Sequence, residues 1–318
     1  MSPETILSLD IGGTKTLGIL VNRSAEVIAR QLCPSPRGNE AVKDSVIDLI
    51  SRLLSSAQEL GIQPSGIAIG APGFVDTRSG CMMEADNLQV EKLCLTGPVE
   101  DHFHLPARLF HDVRSAALGE ALFGAGIGRR DFIFLNIGTG VAVGLYLDGK
   151  IYEGADGKAG EIGHFAHRPV GPGNPCGLEE RLEMLVSGPA LVRRAAVRVE
   201  QEHGSLLYQL AGRDPGRVTT QLIREAAFRK DALAVHLIEE TADYLGAAIG
   251  AMLDLLNPEC IILGGGIAQM GDFLIEPLQR SVARYAIESV PLIPAVLGGD
   301  AGAIGAAAWF FGLGGSRG

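Results

Sequence analysis

Two stretches of this chain open in the same way. "LSLDIGGTKTLGILVN" (residues 7–22) is an apolar strand, a glycine-threonine turn and a second apolar strand. "DFIFLNIGTGVAVGLYLDGKIYEG" (131–154) repeats strand, Gly-Thr-Gly turn and strand, then adds an Asp-Gly turn and a third strand. The first stretch also continues into a third strand, past a turn at Asn22-Arg23-Ser24. A chain that begins a three-stranded meander twice is expected to be a duplicated α/β unit, a repeat of pattern and not of residue identity. Two such lobes would set their glycine turns face to face across a cleft, the usual place for a small-molecule site.

The intervening pattern fits. Residues 39–60 carry Val42, Val46, Ile47, Leu49, Ile50, Leu53 and Leu54 at helical spacing, and Gly61 closes that helix. Buried strands follow at "GIAIGAPG" and "ARLFHD", so the order β-β-β-α-β-(α)-β fills roughly the first 110 residues. Later helices are expected at 178–200, 218–230 and 231–256, with strands at "ECIILGGG" and "PLIPAVLGG" and a final helix in "GGDAGAIGAAAWFF". The division expected from this is an N-terminal lobe over 1–111 and a C-terminal lobe over 112–299. The helix at about 300–318 would pack back on the first lobe.

The totals bound the function. The 318 residues are ample for a real core, and the net charge of −10 argues against nucleic acid as a partner. The most apolar stretch, Tyr244 to Leu256, is interrupted by Asp254 and falls short of the roughly 20 residues that cross a bilayer. No leader pattern opens the chain. The five cysteines (Cys33, Cys81, Cys94, Cys176, Cys260) show no paired spacing. A protein of the reducing cytoplasm is expected.

A plain hairpin would be satisfied with Asn-Gly or Asp-Gly. "DIGGTK" instead places a carboxylate, a hydroxyl and a lysine on one tight turn. Glycines let backbone N–H groups approach a phosphate closely. Thr14 adds a hydroxyl, and Asp10 is suited to hold Mg²⁺ through water. A structural hairpin explains one such turn equally well; the second turn at Gly138-Thr139-Gly140 favours phosphate, since two turns can grip one polyphosphate. A dinucleotide fingerprint would have to open a helix, whereas "GTGVAVG" opens a strand. "GAGIG" at 124–128 reads as a helix-terminating loop. "LGGG" at 263–266 follows a strand and suits either a nucleotide's base or ribose, or a plain strand-to-helix turn.

Together, "LDIGGTK", "IGAPGFVD", "HDVRSAALGE", "IGTGVAVG", "GKAGEIGH", "NPECIILGGG" and "DAGAIGAAAWF" resemble, in order and spacing, the ROK family of repressors, open reading frames and kinases. The likeness covers nearly the whole chain. It implies the α/β ASKHA fold (actin-like ATPase, RNase H-like), with two lobes around an ATP cleft and duplicated β-β-β-α-β-α-β units. It implies an ATP- and Mg²⁺-dependent kinase acting on a hexose or N-acylhexosamine, commonly at the 6-hydroxyl. Family repressors carry a helix-turn-helix of several dozen residues before the first motif, for which a "DIGGTK" beginning at residue 10 leaves no room.

By this resemblance Asp10 belongs to the magnesium shell. Gly12, Gly13 and Thr14 line the ATP phosphates opposite Gly138, Thr139 and Gly140, and adenosine packs near Gly264, Gly265 and Gly266. Lys15 is left unassigned. Asp112, at a strand end and opening a helix, suits a helix N-cap on sequence alone; the family pattern makes it the base that takes the sugar hydroxyl's proton. His111 and Arg114 stand where the family has asparagines, and His111 touches the sugar pocket directly. Glu161 and His164 match sugar-binding positions, although a lone histidine is otherwise read as structural. Gly73 and Asn87 match a sugar-lining loop and asparagine, with Asn87 equally a turn residue. Glu183 matches a sugar-binding glutamate, with Glu179 and Glu180 as competitors on the same helix.

Many relatives hold a structural zinc with the histidine of "GH" and three cysteines. Aligned without a gap, Asn174 stands for the first cysteine and Arg181 for the third, so only Cys176 remains with His164. His167 would have to be recruited, and an incomplete set seldom builds a closed site. Zinc is therefore not expected, and His164 is freed to face the sugar. The expected partners are a sugar and a second copy of the chain in a homo-oligomer such as a dimer. The competing reading is a non-catalytic sugar sensor of the same fold.

Overall fold

The computed structural model describes residues 4–166 and 180–314. The chain forms two compact units, Met1–Phe134 with Gly144–Gly160 and Ala295–Gly318, and Leu135–Val143 with Glu161–Pro294.

In the first unit β1 (Thr5–Ile11), β2 (Lys15–Asn22) and β3 (Val27–Pro34) form the meander, followed by α1 (Asn39–Glu59) and β4 (Ile67–Ala71). A separate three-stranded sheet, β5 (Phe74–Asp76), β6 (Cys81–Ala85) and β7 (Val90–Cys94), then precedes α2 (Thr96–Phe103), β8 (Ala107–His111) and α3 (Asp112–Phe123). The main sheet runs β3-β2-β1-β4-β8, with β4 parallel to both β1 and β8.

β1 is covered on both faces, which is why it reads as a continuous apolar run. Leu7, Leu9 and Ile11 point into the core built on Val42, Val46, Leu49, Ile50 and Leu53 of α1. The alternate residues turn the other way: Ile6 packs with Ala303 and Ala307, and Ser8 donates to the Ala303 carbonyl at 2.6 Å. The strand period of two therefore puts Asp10 on the face of Ile6 and Ser8.

The next strands are β9 (Phe132–Ile137), β10 (Val141–Leu147) and β11 (Lys150–Tyr152). Then come α4 (Leu182–Val186), α5 (Gly188–Val199), α6 (Leu206–Leu210), α7 (Thr220–Phe228) and α8 (Ala232–Leu256). The chain closes with β12 (Cys260–Gly264), α9 (Asp272–Tyr285), β13 (Leu292–Pro294) and α10 (Ala301–Phe310). The second sheet runs β11-β10-β9-β12-β13. Both sheets thus follow one order, third-second-first-fourth-fifth, and the duplication inferred from two glycine turns is present in the topology.

Helix α10 packs on α3, β1 and β4 of the first unit. The helices touch backbone to backbone, since a Cβ on Gly305 would lie 1.6 Å from the Ser115 carbonyl oxygen and one on Gly119 2.7 Å from that of Ala301. This close approach groups α3 with the first unit, beyond the boundary expected at residue 111.

Two sequence expectations need correction. The β5-β6-β7 sheet has no counterpart in the expected order, because its strands are only three to five residues long. The cysteines do pair: Cys81 and Cys94 face one another in the β6–β7 register and are joined by a disulfide. Their spacing of 13 residues follows from the hairpin, not from a recognisable cysteine motif. Among the described residues, no helix is long and apolar enough to cross a membrane.

Candidate functional site

In the first unit the candidate residues gather at the carboxyl ends of parallel strands β1, β4 and β8, the edge where open α/β sheets bind ligands. Asp10 pairs in register with Gly70, and Ala71 with His111. A Cβ on Gly70 would lie 3.7 Å from both Asp10 Oδ1 and the Asp112 Cα. The glycine thus leaves the space beside the two aspartates open.

Asp10 is half-buried, and a Cβ on Gly302 would stand 2.6 Å from its Oδ2. Burial raises its carboxyl to about 7; Asp112 and Asp300 push the same way and Lys15 opposes them. Lys15 therefore has an electrostatic part that its sequence position did not declare. Asp300 is itself ion-paired with Arg30. The turn below Asp10 is closed by the Gly12 N–H donating to the Lys15 carbonyl at 3.0 Å, and Thr14 is exposed at its tip.

Asp112 is the first residue of α3, and the N-cap is His111. The imidazole Nδ1 accepts from the Arg114 N–H at 3.4 Å and lies 3.3 Å from Asp112 Oδ1. The capping role weighed for Asp112 thus belongs to its neighbour. Asp112 Oδ1 accepts from the Val113 N–H at 2.7 Å, and its side chain is 22% exposed. Arg114 is buried, and its guanidinium donates to the Gly157 carbonyl.

Gly73 has φ +76, and a Cβ there would fall 1.9 Å from the Glu84 carbonyl oxygen, so close backbone approach already requires this glycine. Asn87 is exposed on a one-turn 3₁₀ helix, Asp86–Leu88.

In the second unit the two other glycine turns converge on the end of β9. The Gly138 N–H donates to the Gly140 carbonyl at 2.9 Å, and the Gly188 N–H to the Gly138 carbonyl at 2.8 Å. Gly265, with φ +85, lies so close to Ile137 that a Cβ would stand 2.4 Å from its carbonyl oxygen. The Ile267 N–H donates to the same oxygen at 2.9 Å. Gly264 is buried, and Gly266 has open space at its Cβ position.

Glu183 Oε2 accepts from the Val141 N–H at 2.9 Å, immediately behind the Gly138–Gly140 turn. It reaches that amide past Gly163, where a Cβ would lie 2.4 Å from the Val141 carbonyl oxygen. Glu183 is therefore tied to the turn, which its position in a charged helix did not suggest. Glu161 immediately precedes the 3₁₀ turn Ile162–His164, and its carbonyl accepts from the His164 N–H at 3.1 Å. The exposed His164 ring has Nδ1 3.0 Å from Arg181 Nη1. His167, Cys176 and Glu179 lie outside the described residues. Among the described residues, no group of three or more His, Cys, Asp or Glu side chains is placed to hold a metal directly.

Glu120 was not singled out by sequence reasoning. This fully buried carboxylate accepts from the N–H groups of Ala125 (2.8 Å), Val296 (3.2 Å) and Leu297 (2.8 Å), fixing the approach to α10. Its only sequence signal is a lone acid amid the small and apolar residues of "SAALGEALF".

The chain is similar to several known proteins. A glucokinase of Halalkalibacterium halodurans is 33% identical over 313 residues, covering 96% of this chain and 94% of that protein. The structure of a ROK family glucokinase from Streptomyces griseus, in complex with glucose and AMPPNP, superposes with a TM-score of 0.86 at 30% identity, covering 96% and 98% of the two chains. The DNA-binding transcriptional dual regulator NagC of Escherichia coli is 29% identical over 272 residues, which cover 85% of this chain and 65% of the regulator. The mixed α/β fold is that of the ASKHA-type sugar kinases. The ROK family's sequence profile matches residues 6–312, and the chain belongs to the ROK family.

Proposed function

We propose that this sugar kinase transfers the γ-phosphoryl group of ATP to the 6-hydroxyl of a glucose-type hexose, with Asp112 as general base. The observation that carries the reading is the aspartate pair at the carboxyl edge of the first sheet, Asp10 and Asp112 beside Gly70. Glucokinase relatives over nearly the full chain support it.

Phosphoryl transfer asks a protein for positioning, charge stabilisation and a proton acceptor. Asp112 takes the proton as the sugar oxygen bonds to the γ-phosphorus, and the bond to the bridging oxygen breaks to release ADP. Gly12, Gly13 and Thr14, and Gly138, Thr139 and Gly140, line the phosphates: the Gly12 and Gly138 N–H groups close their turns, and those of Gly13, Thr14, Thr139 and Gly140 are the phosphate donors. Gly264, Gly265 and Gly266 receive the adenosine. Gly73, Asn87, His111, Glu161, His164 and Glu183 are the sugar-binding set.

Asp10 fits Mg²⁺. Its carboxyl is held at about 7 by burial and by two neighbouring carboxylates, a field that a cation relieves. It would hold the ion through water, and Mg²⁺ when bound neutralises phosphate charge. A dimer in the cytoplasm completes the reading; there the Cys81 and Cys94 sulfurs would be thiols.

The test is ADP release from ATP and Mg²⁺ over glucose, mannose, allose, fructose, glucosamine, N-acetylglucosamine and N-acetylmannosamine. Phosphorylated product is located by NMR, and Asp112→Asn is the control. The variant is expected to lose about 10²–10⁴-fold in kcat with ATP affinity retained. Turnover that survives the change sinks the base assignment. Sugar binding without turnover on any of the seven favours the sensor.

A further inference from the structure

We propose that Arg181 is a positioning residue that fixes the tautomer and orientation of His164. Arginine has no acceptor, so the 3.0 Å contact between Arg181 Nη1 and His164 Nδ1 is a hydrogen bond donated to an unprotonated Nδ1. The ring proton then sits on Nε2, and His164 presents a fixed N–H donor. Without such a partner the two neutral tautomers compete, and an exposed ring is free to turn over.

The backbone ties the segment of Arg181 to that of His164. Ala166 and Arg181 form an antiparallel bridge, and the Leu182 N–H donates to the Phe165 carbonyl at 2.9 Å. Arg181 is also the N-cap residue of α4, with its carbonyl accepting from the Met184 N–H at 3.0 Å. His164 and the arginine that holds it are thus clamped by adjoining pieces of one short ladder. A fixed cation on a short ladder here does the orienting that a metal does when it takes one imidazole nitrogen and leaves the other as N–H.

The role in sugar binding rests on the kinase reading above; the tautomer does not. The full-length protein labelled with ¹⁵N-histidine is recorded by long-range ¹H–¹⁵N correlation at pH 8, with His164→Gln identifying the His164 signals. Expected in the unaltered chain is an unprotonated Nδ1 and a protonated Nε2. Arg181→Met should give mixed or exchanging tautomers, and Arg181→Lys should restore the Nε2–H form in part. In the same variants the sugar KM should rise about tenfold in Arg181→Met, the size of one lost hydrogen bond, with smaller changes in kcat and in the ATP KM.

A Nδ1–H form in the unaltered chain, or the same tautomer after Arg181→Met, overturns the proposal, as does a full equivalent of zinc in the purified protein. If Arg181→Met does not fold, the unaltered spectrum and Arg181→Lys still decide. Absence of sugar-dependent ADP release in the unaltered chain counts against the kinase reading and leaves the tautomer result standing.

Discussion

In the metal-free protein, Asp10→Asn is expected to raise stability while abolishing activity. The carboxyl moves from 3.8 in the unfolded chain to about 7 in the folded one, chiefly through burial and then through Asp112 and Asp300. At 1.36 kcal/mol per pH unit this is worth about 4 kcal/mol, an upper value because Asp10 is only half-buried. The sign follows from proton counting. Below pH 4 both states hold the proton and the variant has no advantage. Between pH 4 and 7 the folded state keeps a proton that the unfolded state has released, so the natural protein loses stability as pH rises. Above pH 7 the difference is complete and flat. Asparagine has no such charge to bury. Urea unfolding in EDTA at several values from pH 4.5 to 8.5 measures the gap between the two proteins. It should open toward the alkaline end, reaching a few kcal/mol. A gap that stays constant across this range, or one that favours aspartate more as pH rises, refutes the argument.

Three further substitutions test separate parts of the scaffold. Glu183→Ala should cost about 1–2 kcal/mol by urea unfolding, because the Val141 N–H loses its acceptor, whereas Glu183→Gln keeps an acceptor oxygen and should cost less. Glu120→Ala orphans three backbone N–H groups around a fully buried site and should cost about 3–5 kcal/mol, visible as a large fall in Tm. Replacing both Cys81 and Cys94 by serine should lower the stability of the oxidised protein by up to about 3 kcal/mol for a 13-residue span, and added reductant should erase the difference between the two proteins.

Much of this arrangement was legible because strand periodicity and turn chemistry are local. Three antiparallel strands over residues 5–34, the helix from Asn39, and the strand after "GTG" follow from patterns a few residues long. The recurrence of the glycine turn carried the duplication, which the matching sheet orders display. What stayed hidden depends on distant partners. Gly302 shapes the surroundings of Asp10 from the far end of the chain, and nothing near residue 10 announces it. Glu120 reads as an ordinary helix charge until Val296 and Leu297 are brought to it. Asp112 and His111 show the limit within three residues. The sequence favoured aspartate as the cap because aspartate caps well, but strand β8 ends one residue earlier, at His111, so that α3 begins at Asp112 and the histidine nitrogen meets the Arg114 amide instead.

The contact of α10 with α3 bears on the order in which the chain can be made and folded. The first unit is built from segments that enclose the second in sequence, and α10 follows the whole of the second unit. Until Ala301–Phe310 leave the ribosome, the backbone groove over Ser115 and Gly119 and the face bearing Ile6 and Ser8 have no cover. At about 5–20 residues per second, that exposure lasts on the order of ten seconds or more. During this interval the second unit can already be folding, and the first must wait as a partly formed sheet. A nascent chain of this protein should therefore leave the face bearing Ile6 and Ser8 uncovered throughout the synthesis of the second unit.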